Sequence, residues 1–267
     1  MEDPVTGNVI SVENDWTRVV GSARGMYHIS PHWNIYAGVG QAFRAPTLYD
    51  LTSFDVTGFV ETPSPNLDAE DFLSFETGLK AQYEDLSGSL AGWYTILDDT
   101  IIRSPTGAII DGTPEVRADN VGDGWVWGVE ADVAWRFACA WTAFATASYM
   151  DGEADELDPD SGEIVRSPLG RQKPFSTFLG LRWELPGGRW WAQTEWGYSA
   201  REDRLSLKDQ TDTSRIPPDG TPSWNLVNLR AGVRIGESAR FGVSLENLFD
   251  ENYRIHGSGQ NEPGFNV

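Results

Sequence analysis

The sequence has one cysteine, three histidines and no apolar run of about 18 residues. A single cysteine, Cys139, cannot form an internal disulfide or a cysteine-rich zinc site. Without a long apolar run no transmembrane helix is expected, and the acidic start of the chain is unlike a secretory signal, which is basic and then apolar. Basic residues are also scarce: the chain has 20 Lys and Arg against 40 Asp and Glu, which gives a net charge of -20. A chain this acidic repels phosphate backbones, so no nucleic-acid partner is expected.

Alternation with a period of two residues runs through most of the chain, whereas helical periodicity is hard to find. In residues 125–137 every odd position is apolar, and the even positions include Glu130, Asp132 and Arg136. This stripe is roughly 40 Å long in an extended strand, and a tilt near 40° reduces its height to about 30 Å. Strands of soluble proteins average about half that length. The stripe is therefore typical of a strand that crosses a membrane, with aromatic residues at both ends.

The alternating segments predict an all-β, transmembrane antiparallel β-barrel. Short and long connections alternate between the predicted strands, as in outer-membrane barrels, where short turns lie at one end and long loops at the other. The four long loops and the tail from residue 250 hold 26 acidic and 11 basic residues, so the acidity lies at one rim. The predicted strands are residues 16–29, 33–43, 72–83, 88–98, 124–137, 141–150, 175–185, 190–200, 223–235 and 241–249, and the long loops are residues 44–71, 99–123, 151–174 and 201–222.

Three carboxylates on these strands, Glu76, Glu130 and Glu195, could be interpreted as the acid and base of a glycosidase. The alternative is that they face a water-filled lumen, as polar inward positions of a barrel do. We favour the lumen, so neither enzymatic activity nor a cofactor is predicted. The acidic run 151–163 also has enough oxygen ligands for calcium, with Asp155, Asp158 and Asp160 as candidates. It lacks the spacing of an EF-hand, and a solvated loop is the alternative.

Several short motifs point to one family. Residues 43–47, Phe-Arg-Ala-Pro-Thr, resemble the Phe-Arg-Ala-Pro box of TonB-dependent outer-membrane receptors, and residues 64–67, Ser-Pro-Asn-Leu, are similar to the box that follows it in many members. Further signatures of the family's barrel strands resemble residues 76–78, 128–130 and 246–254. The order and spread of these motifs make the resemblance specific to the barrel domain.

The resemblance implies that residues 1–267 correspond to the C-terminal portion of a 22-stranded barrel, of which about ten strands are present. Residues 265–267 would open an eleventh strand, and the plug domain would lie outside this chain. The implied function is TonB-dependent uptake of a scarce, bulky nutrient such as a ferric siderophore or cobalamin. The implied partners are outer-membrane lipid, the nutrient, and a TonB-type energy-coupling complex that acts through the plug. The implied location is the outer membrane of a Gram-negative-type cell.

Candidate ligand-binding residues lie at the mouth and in the lumen. Arg44 either meets an anionic ligand or forms a salt bridge to a loop carboxylate. Six tryptophans, at positions 93, 127, 135, 183, 190 and 196, could stack on ligands, but anchoring at the membrane interface is the favoured interpretation. The candidate ligand-binding residues are Arg44, Tyr49, Glu76, Glu130, Arg230 and His256.

Two other classes of protein remain open. A passive porin would need a complete barrel without a plug, and it would conduct ions in a planar bilayer. A soluble, tryptophan-rich β protein that binds glycans would stay in the aqueous phase without detergent.

Overall fold

The computed structural model describes residues 14–53 and 58–267. Twelve strands form one sheet, in which ten strands follow each other as an antiparallel meander. The other two strands are short additions, because β3 pairs with β6 in parallel and β8 pairs with β7. The elements are β1 (Ser22–His28), β2 (Trp33–Arg44), α1 (Leu48–Thr52), β3 (Val60–Thr62), β4 (Glu70–Gln82), β5 (Leu86–Ile110), β6 (Thr113–Ala138), β7 (Trp141–Leu157), β8 (Ile164–Pro168), β9 (Ser176–Glu184), β10 (Trp190–Ser199), α2 (Leu207–Thr211), β11 (Trp224–Ile235) and β12 (Ala239–Leu245).

Among the residues that the structure describes, the ten predicted strands are confirmed in number and order, and the sheet is open, with β1 and β12 at its edges. The predicted first strand begins at Ser22 rather than at residue 16, and the last ends at Leu245 rather than at residue 249. An antiparallel bridge joins Glu246 to Asn266, where an eleventh strand was predicted to open. Within the described part of the chain, neither helix is long and apolar enough to span a bilayer.

Cross-strand register separates the sheet into two faces, because residues that oppose each other on neighbouring strands point to the same side. The apolar face is defined by rows such as Ile35, Leu79, Leu90 and Ala131, which oppose one another across β2, β4, β5 and β6. The same face carries the side chains of Val129, Val133, Leu229 and Val233, which the register places with these rows. The predicted apolar stripes are therefore confirmed.

The polar face is defined by rows such as Asn34, Lys80, Ser89 and Asp132 on the same four strands. Five of the aromatic residues on this face each cover a glycine on the next strand of the sheet with their ring. Trp93 is one of them, since it opposes Glu76, so the prediction that it anchors at a membrane interface is wrong. The five pairs are Tyr36 with Gly78, Trp93 with Gly128, Phe144 with Gly180, Phe178 with Gly197, and Trp191 with Gly232.

The predicted long loop 99–123 is wrong, because β5 and β6 continue through it as a tall hairpin that ends in a tight turn. The turn residues Asp111 and Gly112 have φ values of 48° and 84°. Positive φ at both central residues is the requirement of a two-residue type I′ hairpin, for which Asp-Gly is a preferred pair. Register shifts interrupt the pairing near Thr100 and beyond Pro105, which obscures the alternation in the sequence.

The predicted loop 151–174 is likewise partly strand. Strand β7 extends to Leu157 and pairs with β8, so a second hairpin stands above the sheet. Its turn contains Gly162 at a φ of 72°. Both hairpins are at the end of the sheet that carries the long loops, and the first and fourth loops contact them.

The well-buried residues lie mainly in the long loops rather than on the sheet faces. Leu51 and Leu67 from the first loop pack with Ala118 of β6, and Ile101 and Trp16 cover this cluster. Leu205, Ile216 and Ser206 of the fourth loop are buried as well. The loop end of the sheet therefore has a small core of its own, in which loop residues pack against the tall hairpin.

Candidate functional site

Arg44 is the centre of a carboxylate cluster at the end of β2. Its guanidinium donates to both carboxylate oxygens of Glu70, and Nη1 donates to Asp50 Oδ2 at 2.8 Å. Glu70 is almost fully buried, and it also accepts the backbone N–H of Ile101 at 2.8 Å. This geometry matches the salt-bridge alternative for Arg44, and it ties β2, the first loop, β4 and the tall hairpin together.

The first loop begins with helix α1, which a capping box starts. Thr47 accepts the backbone N–H of Asp50, and the Asp50 carboxylate accepts that of Thr47. Burial raises the pKa of Asp50, but hydrogen bonds from Thr47 and Arg44 outweigh it, so the pKa lies below its ordinary value. Tyr49 stands on this helix with 71% of its surface exposed. Its hydroxyl is therefore available at the mouth.

The second sequence motif, residues 64–67, lies within the first loop and packs against β6. Ser64 donates its hydroxyl to the carbonyl of Ala118 at 2.6 Å, and Leu67 is 6% exposed. The indole of Trp16 donates to the Leu67 carbonyl at 3.0 Å. Both motifs of the first loop thus have structural contacts that fix the loop at this end of the sheet.

Two of the three predicted lumen carboxylates, Glu76 and Glu130, lie on the polar face, as predicted from the alternation. Glu76 opposes Gly38 and Trp93, and Glu130 opposes Ala91 and Ser148. Glu130 is exposed and has no hydrogen-bond or ion-pair partner among the described residues. The two carboxylates therefore contribute negative charge to the polar face without a fixed partner for Glu130.

Arg230 belongs to a polar network that crosses the last four strands of the sheet. It forms ion pairs with Glu195 at 2.9 Å and with Glu246 at 3.1 Å. Gln193 donates to Glu195 at 2.6 Å and accepts from Arg182 at 3.2 Å. Since all of these residues lie on the polar face, the network is a continuous strip of charge and hydrogen bonds across that face.

The fourth loop meets the second hairpin at a junction beside the end of β8. Arg204 of the fourth loop binds the carboxylates of Asp151 and Glu153 on β7. Glu156 accepts the backbone N–H groups of Leu207 and Lys208, at 3.2 and 3.1 Å. The fourth loop is therefore bound to the second hairpin by charge and by backbone hydrogen bonds.

His256 fixes the tail to this junction. The residue is 4% exposed, its Nδ1 lies 2.9 Å from the Thr221 hydroxyl, and its carbonyl accepts from Lys173 Nζ at 3.0 Å. Burial lowers the pKa of His256, as do Lys173 and Arg171, against an opposing effect of Asp209. The imidazole is thus buried in the neutral form between three segments, away from solvent.

The calcium candidates do not converge. Asp155 pairs with Arg166 at 3.2 Å, and Asp158 accepts hydrogen bonds from the backbone of Asp160 and the hydroxyl of Ser161. Across residues 14–53 and 58–267, no group of three or more His, Cys, Asp or Glu side chains is arranged to hold a metal ion. The Asp158 carboxylate instead stabilises the turn, and Asp155 joins β7 to β8 through Arg166.

Two of the most connected residues, Glu70 and Arg204, are absent from the sequence-based candidates. Nothing in the sequence sets Glu70 apart from neighbouring Asp68 and Asp71. The contacts of Arg204 join residues more than 50 positions apart. Only the packing of loops that start on different strands brings these partners together.

An antiparallel wall with one apolar face, one polar face and joined loops at a single end defines a membrane barrel protein. The family model for the TonB dependent receptor-like β-barrel matches residues 2–248, so the chain belongs to this family.

Relatives and solved structures agree on the fold. The chain is 24% identical over 232 residues to the vitamin B12 transporter BtuB of Photobacterium profundum, covering 85% of this chain and 33% of that protein. It is 24% identical over 250 residues to the pesticin receptor of Yersinia pestis, covering 90% and 32%. The copper transporter OprC superposes with a TM-score of 0.71 at 20% identity, over 92% of this chain and 38% of that one. The ferric enterobactin receptor PfeA of Pseudomonas aeruginosa superposes with a TM-score of 0.69 at 18% identity, over 92% and 38%. The chain spans about a third of the length of the curated relatives it matches.

Proposed function

We propose that residues 1–267 form part of the wall and mouth of a TonB-dependent transporter in the outer membrane of a Gram-negative-type cell. The transporter takes up a scarce, bulky nutrient such as a ferric siderophore or cobalamin. The observation that carries the proposal is the separation of the two faces, with charged rows on one and apolar rows on the other, below a single rim of joined loops. The names of the relatives, a vitamin B12 transporter and a pesticin receptor, support the same class of activity.

The candidate residues divide into two groups in this proposal. Tyr49, Glu76 and Glu130 present side chains to the mouth or to the polar face, so they meet the nutrient directly. Arg44, Arg230 and His256 are engaged by neighbouring residues and hold the mouth, the wall and the tail in place. No bond is broken in the nutrient, and movement depends on a TonB-type complex that acts through a plug domain.

Growth on candidate nutrients tests the proposal. A strain that lacks the gene encoding this chain is supplied with a ferric siderophore as the only source of iron, or with cobalamin as the only source of vitamin B12. The gene is then restored with or without an intact TonB complex. Restored growth that requires TonB is expected. Growth that is restored equally without TonB, together with steady ion conductance in a planar bilayer, would show a passive porin instead.

A further inference from the structure

A cavity of about 200 Å³ lies where the fourth loop and the start of β11 meet the tail. It is smaller than the pockets that hold drug-sized ligands, so it has room for a single ring. Its lining combines two aromatic rings with amide, hydroxyl and guanidinium groups, and the residues that matter here are Ser223, Trp224, Asn252, Tyr253, Arg254 and Asn261.

The aromatic part of the cavity is fixed. The rings of Trp224 and Tyr253 have centroids 5.0 Å apart and planes inclined by 53°. Trp224 is the first residue of β11 and opposes Ser199 of β10, which holds its backbone in the sheet. The two rings therefore form an angled apolar wall, on which the C–H face of a sugar or another flat ring can pack.

The polar part is also held before any ligand binds. Arg254 donates through Nη1 to the carbonyl of Arg215 at 3.2 Å and through Nε to Asn261 Oδ1 at 3.0 Å. Asn261 in turn donates to Asn252 Oδ1 at 2.8 Å. This chain of hydrogen bonds fixes the guanidinium plane, so little side-chain entropy remains to be lost on binding.

Free hydrogen-bond donors remain after these contacts. Among the residues that the structure describes, the Nε1 of Trp224, the hydroxyl of Tyr253 and the Nη2 of Arg254 have no hydrogen-bond partner. Arg254 also forms no ion pair within that part of the chain, although it lies in an acidic rim. Other loop arginines are paired with carboxylates, as Arg44, Arg166, Arg171, Arg201, Arg204 and Arg215 show.

We propose that this cavity binds one pyranose ring that carries a carboxylate, as in a uronic acid. The apolar face of the ring packs on Trp224 and Tyr253, and the carboxylate accepts hydrogen bonds from the unpaired edge of Arg254. A charge-assisted pair of this kind is stronger than a neutral hydrogen bond. The inference rests on the proposed function, because the ring would be an end group of the imported nutrient.

Equilibrium dialysis of radiolabelled glucuronate against membranes that contain the full gene product tests the site. Arg254→Gln is expected to weaken binding about ten- to a hundredfold, because a hydrogen bond to a charged group is lost. Trp224→Leu is expected to weaken it as well, through the loss of ring packing. The matched control is Arg240→Gln on β12, which removes an equal charge from the opposite end of the sheet and leaves binding unchanged.

Competition with unlabelled compounds defines the ligand class. Glucose is expected to compete at least about tenfold more weakly than glucuronate, since it has no carboxylate for Arg254. Stronger competition by benzoate than by glucuronate would overturn the saccharide assignment in favour of an aromatic acid. Heat-dependent migration on gels confirms that each variant is folded, and an absence of glucuronate binding by the folded wild type would overturn the site itself.

Binding and growth together distinguish a failure of the proposed binding site from a failure of the proposed transport function. Glucuronate binding needs no energy coupling, so it is expected in cells with and without TonB. Binding that is intact in a protein that supports no TonB-dependent growth would contradict the proposed function but not the site. Binding that is absent while TonB-dependent growth persists would contradict only the site.

Discussion

The indole of Trp93 covers Gly128 on the neighbouring strand, and a Cβ atom added at residue 128 would lie 2.6 Å from Trp93 Cζ2. The same added atom would lie 2.9 Å from the carbonyl oxygen of Tyr149. Glycine at this position therefore gives the ring a flat backbone surface, and four other aromatic rings of the polar face use glycine in the same way. Packing of aromatic rings over glycine in neighbouring strands helps to fix strand register.

Substitution of Gly128 by alanine is expected to lower the free energy of unfolding by about 1–3 kcal/mol, the usual cost of overpacking. The control is Gly92→Ala on β5, where an added Cβ meets only the Gly128 carbonyl oxygen at 3.9 Å. This control should be within about 0.5 kcal/mol of wild type. Urea unfolding followed by tryptophan fluorescence measures both, and equal midpoints for the two variants would count against the role of Trp93.

Substitution of Glu70 by glutamine removes the charged partner of Arg44 and one acceptor for its guanidinium. Arg44 is partly exposed, so we expect a loss of about 1–3 kcal/mol, below the cost of breaking a fully buried pair. The loss should be concentrated in the first loop, because Glu70 also holds the N–H of Ile101. Limited proteolysis of residues 45–69 measures it.

The control for this substitution is Glu163→Gln. Glu163 is exposed, and its carboxylate has no ion-pair partner among the residues that the structure describes. Its neutralisation should therefore leave cleavage of residues 45–69 unchanged. Equal cleavage of the Glu70→Gln and Glu163→Gln variants would show that the contacts of Glu70 with Arg44 and Ile101 do not hold the first loop.

Acidification should loosen the tail through His256. The folded-state pKa of His256 is below its ordinary value of 6.5, so the released tail binds the proton more readily than the docked tail. The contribution of His256 to docking is therefore complete above pH 6.5 and decreases as the pH falls below it. Hydrogen exchange of residues 250–262 should show an opening constant that rises up to about tenfold per pH unit in that range.

The variant His256→Gln isolates this effect. Glutamine can still bond to Thr221, but it does not titrate. Nearby Glu202 acts in the opposite sense, because burial raises its pKa and its protonation favours the folded state as the pH falls. The opening constant of residues 250–262 should therefore rise more on acidification in the wild type than in His256→Gln. Identical pH profiles for the two proteins would exclude His256 as the cause of the opening.

Two lumen carboxylates should respond differently to neutralisation. Glu130→Gln is expected to change the free energy of unfolding by less than about 0.5 kcal/mol, since Glu130 has no partner among the described residues. Glu195→Gln should cost up to about 1 kcal/mol, because it removes an ion pair with the partly exposed Arg230. Urea midpoints measure both effects. A change in nutrient uptake by Glu130→Gln without a change in midpoint would therefore indicate direct contact with the nutrient.

Chelation should leave the second hairpin unchanged. The carboxylates of Asp155 and Asp158 are engaged by Arg166 and by the turn at residues 158–161. We expect equal proteolysis of residues 151–174 with excess calcium and with excess chelator. Protection by calcium that is lost in Asp158→Asn would support the calcium interpretation instead.

The strands and their faces could be predicted from the sequence because one residue in two must meet apolar surroundings. The ends of β5 and β6 could not, because above the apolar stripe the residues no longer alternate, and Asp99, Pro105 and Gly107 are typical of loops. The Asp111-Gly112 pair did carry a hairpin signal. However, an Asp-Gly pair predicts a hairpin only when the segments on both sides are strands, and the composition of these segments does not indicate strands.

The contacts of the candidate site were less predictable than its location. The position of Arg44 at the end of β2 follows from the alternation, but the choice between ligand and salt bridge depends on where Glu70 and Asp50 lie. The buried state of His256 depends on Thr221 and Lys173, which belong to other loops. A local pattern cannot show such contacts, since they form only when the loops have packed together.

The bridge between Glu246 and Asn266 determines what geometry a neighbouring polypeptide must have. Asn266 runs antiparallel to β12 and therefore in the same direction as β1 at the other edge of the sheet. An all-antiparallel closure between these two borders needs an odd number of additional strands, the first and last of which run opposite to both borders. A complementing fragment with an even number would leave one seam parallel, so strand parity gives a simple rule for choosing where to divide or rejoin such a protein.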